Sequence, residues 1–177
     1  MYQEALLFLP KSQDLYSIHQ KVLGILGGES GVTYGILGSS ISGEDVVCLR
    51  AAEGVCLPAV ADRPAPASLS EGTKMELSTV ARFVKRDPHT GKEYLPDASQ
   101  IMEKFRHALF GFQVEGDIGL KVSRASFVRK GRLTRIPVCV LRCEVTVTDA
   151  VLAEAVLVRG VGRNRGLGFG MLMEMPN

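Results

Sequence analysis

Apolar side chains at Leu15, Ile18, Val22, Ile25 and Leu26 recur at the spacing of one helical face, with Ser12 or Asp14 available as the cap and Gly27-Gly28 as the stop. This predicts a helix. Before it, Glu4 to Leu9 is a short apolar run closed by Pro10. After it, the β-prone runs Val32 to Leu37 and Val46 to Leu49 flank a turn-rich Gly38 to Gly43, as in a strand pair. The second half repeats this grammar more strongly. From Lys74 to Phe83 the chain alternates, with Met75, Leu77, Thr79, Ala81 and Phe83 on one face and Lys74, Glu76, Ser78 and Arg82 among those on the other, which predicts a half-buried strand. A turn at Asp87 to Gly91 follows. Asp97 with Gln100 then caps a helix striped by Ile101, Met102, Phe105, Ala108 and Leu109 and stopped by Gly111. Ile118, Leu120 and Val122 alternate with polar residues, as do Cys139, Leu141, Cys143, Val145 and Val147, and Arg129-Lys130-Gly131-Arg132 joins the two strands. A last helix fits Asp149 to Arg159, ahead of a glycine-rich turn and a final run from Leu167 to Met175.

Strand, helix, strand, strand, helix, strand is the split βαβ, ferredoxin-like unit. The predicted class is α+β with tandem ferredoxin-like (βαββαβ) units, the first with a shortened second helix. Pro58 to Pro66 lacks periodicity and reads as a connector, so the expected domains are residues 1–70 and 71–177. Charge divides at the same place: residues 1–72 hold 4 Lys/Arg against 8 Asp/Glu, net −4, and residues 73–177 hold 17 against 11, net +6. The second half is thus the candidate for a polyanion partner. No secretory signal or 18-residue apolar stretch is visible, so the protein is expected in the cytoplasm, without membrane contact. Cys48, Cys56, Cys139 and Cys143 contain no C-x-x-C pair and are expected as buried thiols.

Two segments carry candidate chemistry. Gly160, Gly162, Gly166, Gly168 and Gly170 place five glycines within eleven residues, among Arg163, Asn164 and Arg165. Such backbone can approach a phosphate closely, or it can let a helix end pack on a sheet. Arg165 occupies the last glycine position of a dinucleotide fingerprint, so that motif is absent. His19 lies beside the apolar stripe of the first helix, where it is either a hydrogen-bonded structural residue or a proton carrier. His89, in a turn, and His107, on the polar side of a helix, are expected at the surface. No Asp/Glu/His cluster has metal-ligand spacing, so no metal and no cofactor is expected.

The terminal pattern G-x-G-x-x-[KR]-x-x-G-x-G-[LM]-L on a ferredoxin-like unit resembles the RAMP superfamily of CRISPR-associated RNA-binding proteins. Tyr16-Ser-Ile-His19 resembles the Y-x-x-H segment of the repeat-processing endoribonucleases of the type I-E (Cascade) branch. The strand at Lys74 to Phe83, the basic Lys85-Arg86, the Gly91-Lys92 turn and the helix after Asp97 fall in that family's order. The resemblance spans most of the chain and is weakest between residues 28 and 72. Phe83-Val84 stands where the family commonly has Asn-Pro.

The resemblance implies metal-independent cleavage of CRISPR precursor RNA at the base of each repeat stem-loop, by attack of the adjacent 2′-hydroxyl to leave a 2′,3′-cyclic phosphate and a 5′-hydroxyl. His19 would transfer a proton, and Tyr16, at i−3, would orient the attacking group or the phosphate. For RNA the candidates are Arg124, Arg129, Lys130, Arg132 and Arg135 on a strand end and hairpin tip, suited to the phosphate-lined groove of an A-form stem, with Arg163 and Arg165 adding contacts. Expected partners are the repeat RNA and other subunits of a Cascade-like complex, with no DNA contact by the protein alone. A catalytically silent RNA-binding subunit and an unrelated nucleotide-binding ferredoxin-like protein are the rival readings.

Overall fold

The structure, a computed structural model, describes residues 1–12, 14–27, 31–58, 69–163 and 165–175. Its first sheet contains β1 (Tyr2–Leu9), β2 (Val32–Ser39) and β3 (Asp45–Ala52), antiparallel in the order β1-β3-β2, with α1 (Leu15–Leu26) joining β1 to β2. That order is the ferredoxin-like one, in which the third strand inserts between the first two. Central β3 buries both faces. Val47, Leu49 and Ala51 join Leu7, Ile18 and Val22 in the first core, while Arg50 points the opposite way into the second unit. The shortened second helix expected for this unit would lie in the connector, most of which falls on residues 59–68, outside those described.

In the second unit β4 (Lys74–Ala81), α2 (Ala98–Ala108), β7 (Phe112–Arg129), β8 (Arg132–Val147), α3 (Ala150–Arg159) and β9 (Met173–Met175) follow the predicted sequence of elements. A two-stranded pair, β5 (Lys85–Arg86) and β6 (Glu93–Tyr94), frames the Asp87 to Gly91 turn. The sheet order β7-β8-β4-β9 is antiparallel throughout and again ferredoxin-like. Ile101, Phe105, Val156 and Leu157 pack on Met75, Leu77, Leu141 and Cys143, and Phe83 meets Phe105 edge to face at 6.2 Å.

The final strand is shorter than its apolar run suggests. Arg165–Leu167 forms a single 3-10 turn, and Gly168 and Gly170 adopt φ of 80° and 84°, so the extended chain begins only at Met173. Three of the four cysteines are buried as expected; Cys56 is exposed.

The units are joined through Arg50, which is 2% exposed. One guanidinium nitrogen donates to the carbonyls of Leu172 at 2.6 Å and Leu157 at 3.2 Å, and Nε donates to Glu4 at 2.6 Å. A buried guanidinium saturated in this way fixes geometry, because losing any acceptor would strand the charge. Thr33 of β2 adds a second tie by donating to the Val158 carbonyl.

Candidate functional site

α1 begins at Asp14, and the same carboxylate holds two parts of the molecule. One oxygen accepts from the Ser17 backbone N–H at 2.8 Å, capping the helix, and the other accepts from the Val128 N–H at 2.8 Å, pinning the far end of β7 to the helix start. These bonds, Ser17's the strongest, hold the Asp14 carboxyl below the usual carboxylate range. A lowered carboxylate stabilises the folded state above its ordinary pKa and loses that contribution as pH falls through the lowered value, so this link weakens below about pH 4.

Tyr16, His19 and Leu23 share one face of α1, at i, i+3 and i+7. The Tyr16 ring stacks on buried Phe127 of β7 at 6.4 Å and lies 5.9 Å from the His19 ring. His19 Nδ1 is 3.1 Å from the hydroxyl of Tyr34, and the two rings are nearly parallel at 6.4 Å. Tyr34 is 3% exposed, and burial raises its pKa well above the ordinary phenol value, so it keeps its proton. A protonated hydroxyl can donate to a neutral imidazole nitrogen and accept from an imidazolium N–H, so Tyr34 serves both charge states of the ring. Tyr34 was not legible as a site residue, because an aromatic in a β-prone run reads as core.

β7 and β8 outrun their sheet. β4 pairs with β8 only as far as Cys139, so Val122–Arg129 and Cys139 back to Arg132 form a free two-stranded arm about 26 Å long. Its turn is Lys130-Gly131, with φ of 49° and 71°, the positive pair of a tight hairpin. Near the base, pairing shifts between Glu115 and Gly119, which re-aims the arm. Register separates the predicted basic residues. Arg129 faces Arg132 across the turn, on the same face as Phe127; Arg124 and Arg135 project from the other face. All five, including Lys130, are exposed and, among the described residues, make no ion pair. Like charges placed directly opposite each other are unfavourable alone and are relieved by a polyanion.

The glycine-rich segment is closely packed, which fits the second of its two expected roles. A Cβ on Gly160 would sit 2.7 Å from the Gly170 carbonyl oxygen, and one on Gly168 would sit 2.8 Å from the Tyr34 ring. The N–H groups of Gly160, Val161, Arg163, Gly168 and Gly170 all donate to backbone carbonyls of the chain. The glycines therefore let the segment from α3 to β9 pack closely, and Gly168 backs the tyrosine that holds His19. The residue at 164 lies outside those described, and Gly166 falls in the 3-10 turn. Arg163 lies 3.4 Å from Glu93, which also pairs with Arg82 at 2.6 Å, and Arg165 donates to the Arg159 carbonyl at 2.9 Å. Arg163 is thus partly engaged by a carboxylate that sequence reasoning missed.

His89 and His107 are exposed, as expected. Among the described residues no three of His, Cys, Asp and Glu are grouped as metal ligands, and no helix is long and apolar enough to cross a membrane.

The same fold of two ferredoxin-like units is found in a structure described as an RAMP protein binding different RNA substrates, with a TM-score of 0.60 at 15% identity over 99% of this chain and 100% of that one. Residues 83–176 match the CRISPR associated protein family, and the chain belongs to it. No curated protein matches. Among solved structures, the CRISPR-associated protein Cas6e of Escherichia coli K-12 superposes with a TM-score of 0.73 at 19% identity, over 100% of both chains. Cse3 of Thermus thermophilus, bound to an RNA representing a pre-cleavage complex, gives 0.69 at 20% identity over 99% of this chain and 98% of that one. A chain of a CRISPR RNA-guided surveillance complex gives 0.70 at 13% identity over 98% of each.

Proposed function

We propose that this protein is a metal-independent endoribonuclease that cuts CRISPR precursor RNA at its repeat stem-loops and acts alongside other subunits of a Cascade-like complex. The observation that carries this reading is the placement of His19: partly exposed on a capped helix, bonded through Nδ1 to buried Tyr34, and beside the Tyr16–Phe127 contact where a basic arm docks on the same helix. The likeness to Cas6e, to RNA-bound Cse3 and to a surveillance-complex chain supports it.

The chemistry follows from the groups present. The 2′-hydroxyl beside the scissile phosphate attacks phosphorus, its proton leaves, and the 5′-oxygen departs with a proton, giving a 2′,3′-cyclic phosphate and a 5′-hydroxyl. His19 exchanges a proton with one of these oxygens, and the Tyr34 hydroxyl follows the change in ring charge by switching between donor and acceptor. Tyr16 orients the reacting nucleotide. Arg124, Arg129, Lys130, Arg132 and Arg135 hold the stem by its phosphates. Arg165, whose turn packs against α1, adds positive charge beside the helix.

The test is a repeat RNA carrying 2′-deoxyribose only at the nucleotide before the scissile bond. It is expected to bind like the all-ribose RNA and to remain uncut, because the nucleophile is missing. Cleavage of that RNA at the same bond at an undiminished rate would overturn the mechanism, and binding without cleavage of the all-ribose RNA would indicate a silent RNA-binding subunit.

A further inference from the structure

Beyond His19 the same face of α1 continues to Leu23, one turn on and about 6 Å away, and there it forms a wall of an open cleft of about 450 Å³ between the two units. Leu23, Leu26, Val32 and Val158 make its apolar lining; Arg159 and Arg165 stand at its rim, and Tyr34, the hydrogen-bond partner of His19, separates it from the histidine. Leu23 is 44% exposed although it borders an apolar cleft, and both arginines are exposed. Arg165 is oriented by the Arg159 carbonyl through one nitrogen, which leaves its other donors for an anion.

We propose that this cleft is a nucleotide subsite that receives the single-stranded nucleotide immediately beyond the scissile phosphate, its base against the aliphatic wall and its 3′-phosphate at Arg159 and Arg165. The inference rests on His19 marking the reaction centre. Three features of the cleft fit that occupant. An apolar slot with two cations at its mouth matches a base joined to a phosphodiester and suits neither a purely apolar ligand nor a bare anion. Its distance from His19 is one helical turn, which suits a neighbouring nucleotide. The arm docks at the N-terminal end of the helix through Asp14 and Tyr16, so RNA gripped by the arm and passing His19 arrives at Leu23 next. Seating that nucleotide would hold the leaving 5′-oxygen in line for attack and raise the rate through position alone.

The subsite separates substrate from product, because the product retained on the arm ends at the cyclic phosphate and has nothing to place in the cleft. The experiment compares three RNAs by equilibrium binding, all with 2′-deoxyribose before the scissile position: one ending there, one extended by a single nucleotide with a 3′-phosphate, and one extended by an abasic nucleotide with a 3′-phosphate. The wild-type protein is expected to bind the extended RNA roughly tenfold more tightly than the short one, the magnitude of one base packed on a protein surface, and to lose most of that gain with the abasic form. Leu23→Glu, on an exposed helix position, is expected to abolish the gain while leaving the short RNA's affinity unchanged. Arg159→Gln is expected to reduce it. Equal binding of extended and abasic RNAs by the wild type, or equal weakening of short and extended RNAs by Leu23→Glu, overturns the subsite. Cleavage of the all-ribose RNA is scored separately: a protein that shows the base-dependent gain but never cuts removes the enzyme reading and keeps the subsite.

Discussion

Replacing His19 by Ala is expected to lower the single-turnover cleavage rate by about 10² or more while changing RNA affinity little. General acid–base groups contribute on this scale, and affinity is left alone because the stem is held elsewhere, by the arm. Circular dichroism should show a folded variant, since His19 is only partly buried and the caps of α1 at Asp14 and Gly27 are untouched. A near-normal single-turnover rate in His19→Ala would remove His19 from the reaction and leave it as a structural partner of Tyr34.

The second large effect belongs to the arm. Replacing Arg129, Lys130 and Arg132 together by Ala is expected to weaken stem-loop binding and to flatten its salt dependence by roughly two to three units in log K against log salt, at 0.7 to 0.9 per phosphate contact. Fold stability should hold or rise slightly, because the substitution removes a cross-strand pair of like charges at a solvent-exposed turn. His19→Ala should leave the slope unchanged, since a neutral imidazole releases no counterions. Binding constants over a salt series for both variants check the division of labour; an unchanged slope in the triple variant would place the RNA along Arg163 and Arg165 instead. Arg163 already shares Glu93 with Arg82, which makes that route the poorer one.

Local signals carried the fold well. The helices at Asp14, Asp97 and Asp149 start where a capping aspartate precedes a striped run, and each carboxylate accepts from the N–H three residues on. Alternation located β4 and the base of the β7–β8 hairpin. The Arg129–Arg132 turn located the tip of the arm, while between tip and base alternation fades, because a two-stranded ribbon away from the core keeps few buried positions: Val122, Val128 and Leu133 are exposed apolar residues there. The C-terminal apolar run was read as one strand because composition does not show that two of its glycines sit at positive φ.

The candidate site was legible only in part. His19 and Tyr16 stood out through a spacing that also resembles a known family. Tyr34, Phe127 and the second hydrogen bond of Asp14 come from residues 15 to more than 100 positions away in the chain, a relationship no local pattern carries. The basic run read as one cluster; cross-strand register divides it between two faces, which only the pairing of Arg129 with Arg132 and of Ser126 with Arg135 reveals. The glycines left phosphate approach and close packing open in the sequence, and the structure shows them accommodating Tyr34 and the neighbouring backbone.

We propose that this chain cuts RNA with its own side chains and the RNA's own hydroxyl. The most direct measurement is incubation of the purified protein with the cognate repeat stem-loop in excess EDTA, followed by analysis of the product ends. The expected result is a single cut at the base of the stem, at the rate seen without chelator, leaving a 2′,3′-cyclic phosphate and a 5′-hydroxyl. Cleavage abolished by EDTA and restored by one divalent metal, or products ending in a 3′-hydroxyl and a 5′-phosphate, would contradict it.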